Sequence, residues 1–168
     1  MKSALKFIAF AFLTLAPLST YAQSNVAHIN VQQLISEMPE VIAAQNELAK
    51  LEKDYTTQID NAFKEFQTKA QTYSADAANQ TDVTNQARQK ELESMQTNLQ
   101  EFRESAAQEL QKKQMDLMSP LLEKARNAIT KVGQEQGFDY VIDSSPNGGI
   151  ILADGKDLIE DVKRELGF

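Results

Sequence analysis

Between Pro39 and Pro120 the chain runs for 80 residues without a Gly or a Pro. Those are the two residues that most readily end or break a helix. Gln, Glu, Lys, Ala and Leu fill the run, all good helix formers. An average helix has about 11–12 residues, so this segment predicts helices several times longer. No Gly occurs before Gly133.

Periodicity divides the run. Val41, Ala44, Leu48, Leu51, Tyr55, Ile59, Ala62, Phe66, Ala70 and Tyr73 are spaced by threes and fours and form one stripe. Leu92, Met95, Leu99, Phe102, Ala106 and Leu110 form a second, which Leu117, Leu121, Ile129 and Val132 resume after a polar gap. Between the stripes, Ser74–Thr81 carries small and polar side chains only, the composition of a hairpin tip. Two facing stripes predict an antiparallel helical hairpin, outgoing from Pro39 and returning over about 83–136. Asp82 is the expected N-cap of the return helix. Pro120, without an N–H and crowding the carbonyl of Asp116, is expected to kink it.

The ends read differently. Val26–Val31 alternates as a strand with Ala27, Ile29 and Val31 on one face. Gly137 stops the return helix, Phe138–Asp143 reads as a second strand, Ser145–Gly149 as a turn and Ile150–Leu152 as a third strand. Asp157, with Glu160 three residues on, opens a last helix that Gly167 closes. The prediction is an α+β chain, mostly α, in the order β–αα–ββ–α. A body of residues 23–39 and 137–168 carries a helical arm of residues 40–136 with its tip near 74–82. Three short strands leave open edges, which calls for pairing with other copies. Ile29, Val31, Val141, Ile142, Ile150 and Leu152 are the residues expected to form the β core and its subunit contacts.

Residues 1–22 read as a secretory signal. Lys2 and Lys6 precede a short apolar core, and Thr20 and Ala22 put small residues at −3 and −1 of a cut before Gln23. The 146 residues left carry a net charge of −9 and are roughly 38 % apolar, low for a compact domain. Such acidity excludes a nucleic-acid binder. No later apolar run approaches the ~18 residues of a membrane span. The chain has no Cys, which removes thiol catalysis, disulfides and thiolate metal sites. The acidity sits in residues 132–168, at net −5, while residues 40–73 carry −2 and 83–131 carry +1. The acidic end reads as a solubilising face.

No pattern of catalytic or ligand residues emerges, so catalytic, cofactor and metal sites are expected to be absent and the chain is read as no enzyme. His28, the only histidine, lies in a strand with no nucleophile motif beside it. Asp139 and Asp143 fit no calcium loop, and Gly148–Gly149 is no phosphate loop. Phe66 and Phe102 fall on the stripes. Phe63, Met115 and Met118 fall off the simplest stripe. They are either helix packing or an adaptable apolar surface for varied partners.

Three segments together carry a family resemblance. They are Val26–Val31 behind the signal, Gly137–Asp143, and Lys156–Ile159 with Val162, flanking a Gln/Lys/Glu-rich hairpin. In this order they resemble the Skp (OmpH-like) periplasmic chaperones over essentially the whole mature chain. The resemblance implies a homotrimer in the periplasm, with three arms around a cavity that holds unfolded outer-membrane proteins without ATP. Phe63, Met115 and Met118 are then the candidate client contacts. Well-known members are basic; this chain is acidic with near-neutral arms, so no lipopolysaccharide site is carried over. The competing reading is a structural envelope coiled-coil adaptor that binds one folded partner.

Overall fold

The computed structural model describes residues 24–146 and 148–168; the signal segment and its cleavage site lie outside the described residues. The elements in chain order are β1 (Val26–Ile29), α1 (Val31–Glu37), α2 (Pro39–Asp76), a short 3-10 turn (Ala77–Asn79), α3 (Asp82–Glu135), β2 (Tyr140–Asp143), β3 (Lys156–Asp157) and α4 (Ile159–Leu166). The long hairpin on a small β body is as the sequence predicts. With 38 residues in α2 and 54 in α3, the helices are about 57 and 81 Å long at 1.5 Å per residue.

Both predicted stripes face inward: each of their residues is buried or half-buried. The tip is tighter than expected. Helix α2 continues to Asp76, and Thr81 caps α3 in place of Asp82, its hydroxyl accepting from the amide of Thr84 at 3.2 Å. Asp82 is instead the first helical residue, where its charge favours the positive end of the helix dipole. Helix α3 continues through Pro120 without a break.

Parallel pairing defines the body. The sheet order is β2–β1–β3, with β1 central, and both pairings are parallel: Ala27 lies opposite Val141 on one side and Lys156 on the other. Parallel neighbours need a crossover between them, and the whole hairpin serves as the one from β1 to β2. Beneath the sheet Ala27, Ile29, Leu34, Met38, Val41, Ala125, Ala128, Val132, Leu158, Ile159 and Val162 form one core. It joins the sheet to α1, α4 and the arm root.

Three expectations need correcting. Val31 is not in the strand but opens α1, because Asn30 turns the chain by accepting the amide of Gln33 on its side-chain oxygen at 2.9 Å. Phe138 precedes β2. Gly137, at φ +75°, bends the end of α3 so that the amide of Phe138 reaches the carbonyl of Gly133, a Schellman closure. The third strand is Lys156–Asp157, not Ile150–Leu152. Ile151 is 103 % and Leu152 81 % exposed. The β-branched Ile150 and Ile151 and the apolar Leu152 read as a strand, but the second edge of β1 is filled by backbone pairing of a charged pair that no hydropathy pattern marks. Asp157 keeps part of its predicted role, its carboxylate accepting the amide of Ile159 at 2.9 Å although Leu158 is the cap position. Glu160 closes no capping box and pairs with Lys163 at 3.0 Å.

Candidate functional site

The arm is joined by a ladder of polar and aromatic pairs across the seam. From root to tip, Lys124 meets Glu40 at 2.5 Å and Lys113 meets Glu47 at 2.8 Å. Tyr55 donates its hydroxyl to Glu109 and stacks edge-on against Phe102, with ring centroids 6.1 Å apart. Lys69 and Tyr73 both donate to Glu91, at 2.5 and 2.6 Å. Arg88 lies over the ring of Tyr73 and pairs with Asp76 at 3.1 Å. The pair numbers rise on one helix as they fall on the other, so the hairpin holds a single register. The net charge of the arm helices is small, −2 over residues 40–73 and +1 over residues 83–131, which leaves little field to project outward.

Few arm side chains are fully buried. Beyond Ala44, α2 buries none, and α3 buries only Ala106 before the body. The tip depends instead on Asp76, which accepts from Arg88, Asn79 and Gln80. Hydrogen bonds from Arg88 first and Asn79 next hold its carboxyl below the ordinary aspartate value, and those from Lys69 and Tyr73 do the same for Glu91. A depressed carboxylate pKa stabilises the fold above the ordinary value, and that contribution is lost as pH falls through the folded one. Acidification below the ordinary carboxylate range should therefore lower the amide protection factors of residues 73–91, taken relative to the intrinsic exchange rate at each pH, while the root is still protected. Equal loss along the whole arm would show that this clasp contributes nothing special.

The three candidate contacts separate. Phe63 is 40 % exposed on α2 and Met115 55 % exposed on α3. The ladder puts Met115 near the level of Glu47, roughly 25 Å along the rod from Phe63. Met118 packs against the body core. Sequence reasoning passed over Ile42, Val83 and Leu122, which are also exposed. One signal for Leu122 was readable. Met115, Met118, Leu122, Ala125 and Ile129 recur by threes and fours, a second stripe on the root of α3 that overlaps the seam stripe at Ile129.

That stripe runs into a groove of about 900 Å³ whose apolar lining includes Val31, Ile35, Leu122, Ile129, Phe138 and Val141. Of the six residues expected at subunit contacts, Val31 and Val141 line it. Ile29 is fully in the chain's own core, Ile142 is half-buried, and Ile150 and Leu152 are exposed. At the ends of the sheet a polar hub fixes the loops. Buried Ser145 donates its hydroxyl to Asp143 at 2.5 Å and accepts the amide of Gln32 at 3.1 Å. Bonds from Ser145 chiefly, then from the Val31 amide, hold the Asp143 carboxyl below its ordinary value. His28 has a structural role: one ring nitrogen meets the Ser144 hydroxyl at 3.1 Å, the other the Gly155 carbonyl at 3.2 Å. Both ends of the 144–155 loop are tied to it. Among the described residues no group of three or more His, Cys, Asp or Glu could hold a metal, and no helix is long and apolar enough to cross a membrane.

Comparison with known proteins gives the same architecture. The model of the family described as outer membrane protein (OmpH-like) matches residues 25–166. The chain is 26 % identical over 160 residues to the chaperone protein Skp of Yersinia enterocolitica, covering 92 % of this chain and 93 % of that protein. A crystal structure from Caulobacter crescentus, described as an OmpH-like outer membrane chaperone, superposes with a TM-score of 0.77 at 14 % identity. It covers 86 % of this chain and 85 % of that one, and at that identity it shows the fold alone. The matched span begins one residue before β1 and ends with the last residue of α4, so body and arm together place this chain in the OmpH-like family.

Proposed function

We propose that this chain is an ATP-independent periplasmic holdase that keeps unfolded outer-membrane proteins from aggregating. It does so in a cavity between the arms of a homotrimer. The signal directs export and is then cleaved after Ala22, so the mature chain begins at Gln23. The observation that carries the reading is the arm surface. Apolar side chains at Ile42, Phe63, Val83, Met115 and Leu122 are spread along the hairpin and exposed, while the two arm helices carry net charges of only −2 over residues 40–73 and +1 over residues 83–131. Dispersed single contacts suit an extended chain of varied sequence; a folded partner needs one continuous patch. The relative named as a chaperone supports the same class of activity. Trimer assembly is supported by the family resemblance and by the uncovered groove on the body.

The test is the solubility of a denatured outer-membrane barrel protein mixed with the mature chain. Exposed charge attractions are largely screened near physiological salt, where the Debye length is about 8 Å. Apolar burial does not weaken with salt. Holding is therefore expected at both about 0.05 and about 0.5 M salt, values that bracket that screening. Replacing Phe63, Val83 and Met115 together by Ser should weaken holding by roughly a hundredfold, at about 1 kcal/mol per lost apolar contact, with helicity unchanged. Met118 and Leu122 are left out, because the first packs on the core and the second lines the body groove. Holding that collapses at high salt would instead point to capture by a basic patch around Arg103, Lys112 and Lys113. Selective binding of one folded protein, with no effect on denatured ones, would establish the adaptor reading.

A further inference from the structure

The chain has no Cys and no Trp, so the thioethers of its methionines are its most readily oxidised side chains. Met1 lies outside the described residues. Met38 is fully buried in the body core. Met95 is half-buried on the seam stripe, and Met118 is half-buried against the core. Of the four described methionines only Met115 is open to solvent, 55 % exposed on α3. Met115 and Met118 stand one turn apart, yet an added oxygen acts differently on each. A sulfoxide is polar. On Met118 it would meet the apolar core, where a polar group without a partner costs stability. On Met115 water satisfies it, and the backbone bonds of α3 are untouched. Gln111, Lys112 and Ser119 flank Met115 on the adjacent turns, so its thioether is an apolar point in a polar surface.

We propose that Met115 is a site of reversible oxidation, and that its sulfoxide loosens the arm's hold on unfolded chains before oxidation reaches the fold. The functional half rests on the holdase reading, in which Met115 is an exposed contact. The oxidant is a hydroperoxide. The sulfur lone pair attacks one peroxide oxygen, and an S–O bond forms as the O–O bond breaks. With hydrogen peroxide, the departing hydroxide takes the proton left on the transferred oxygen and leaves as water. The sulfur loses two electrons and the peroxide gains them. A flexible apolar contact that re-packs around varied partners becomes a polar one. The return takes two electrons from a dithiol, which closes to a disulfide while the oxygen leaves as water. Without Cys the chain has no dithiol of its own, so the return needs a separate sulfoxide reductase.

The test is titration of the mature chain with hydrogen peroxide, followed by peptide mass mapping. Met115 should be mostly converted before Met38, Met95 or Met118 gains oxygen, with the helical circular dichroism unchanged. At that point holding of a denatured outer-membrane barrel protein should fall about fivefold, the worth of one apolar contact. Methionine sulfoxide reductases for both sulfoxide epimers, supplied with a dithiol, should restore it. Met115→Leu, compared with its own untreated level, should lose no holding at the same peroxide dose; an equal loss would overturn the assignment to Met115. Conversion of Met115 no faster than the other three would overturn the site. Full holding by a chain oxidised at Met115 alone would overturn the consequence drawn for it. An untreated chain that holds nothing is a failure of the holdase reading, and the peptide map, which uses no client, still decides the oxidation site.

Discussion

Replacing Leu34 with Ala should destabilise the protein by about 2–5 kcal/mol, the range for truncating a fully buried Leu. Leu34 is fully buried and sits where α1 meets the core under the sheet. The expected effect is large relative to the total because the body has little else. Among the described residues its core is 11 residues, and a native domain retains only about 5–15 kcal/mol in all. Three of the core residues, Ala27, Ala125 and Ala128, carry only a methyl group and have no side-chain freedom with which to fill a cavity. Thermal unfolding followed by circular dichroism should show an early transition of the body, while much of the helical signal persists. A midpoint within a degree or two of the parent would mean that α1 is a loosely attached flap.

Val141→Asp should act on a different level. Val141 is half-buried within the protomer and lines the open groove beside β2. Its Cγ2 stands 2.7 Å from where a Cβ on Gly133 would be, so strand and helix touch at this point. Within one protomer a carboxylate here keeps some access to water. Between subunits it would be enclosed with Asp139 and Asp143, which line the same groove. Burying such a charge costs several kcal/mol, which is more than a hundredfold in association. Native mass measurement at low micromolar concentration should find dissociated protomers that retain the parent's helix content. An intact assembly would take the subunit contact away from this groove. Loss of helicity together with mass would make Val141 a residue of the protomer core.

The arm was readable because its period is long and uninterrupted. Ten positions from Val41 to Tyr73 repeat by threes and fours, and helix geometry leaves one way to bury them. The body resisted for reasons that differ residue by residue. Val31 alternates correctly with Ala27 and Ile29, so alternation alone extends the strand past its end. The contrary signal is the single oxygen of Asn30, a cap that only a three-residue spacing reveals. Ile150–Leu152 has the composition of a strand yet is exposed, while Lys156–Asp157 pairs through the backbone and has no apolar signature. The parallel direction of the sheet depends on where the arm returns, which no local pattern encodes. At the candidate site, two apolar stripes overlap on the root of α3. Met118, Leu122 and Met115 share the second of them, and burial alone tells the packed one from the exposed ones.

The parallel sheet sets the order of assembly in time. Asn25 and Asp139 exchange hydrogen bonds across a sequence separation of 114 residues, and β3 lies farther on still. Closing a flexible loop of that length before any contact is gained is slow. A hairpin formed first from local contacts removes the difficulty, because it returns the chain to its starting point. Central strand β1, although it emerges early from any vectorial synthesis or export, has no partner until α3 is complete. Its apolar edge residues therefore wait unpaired through most of the chain's appearance. The long helices act as the internal guide that brings the sheet's two ends into register.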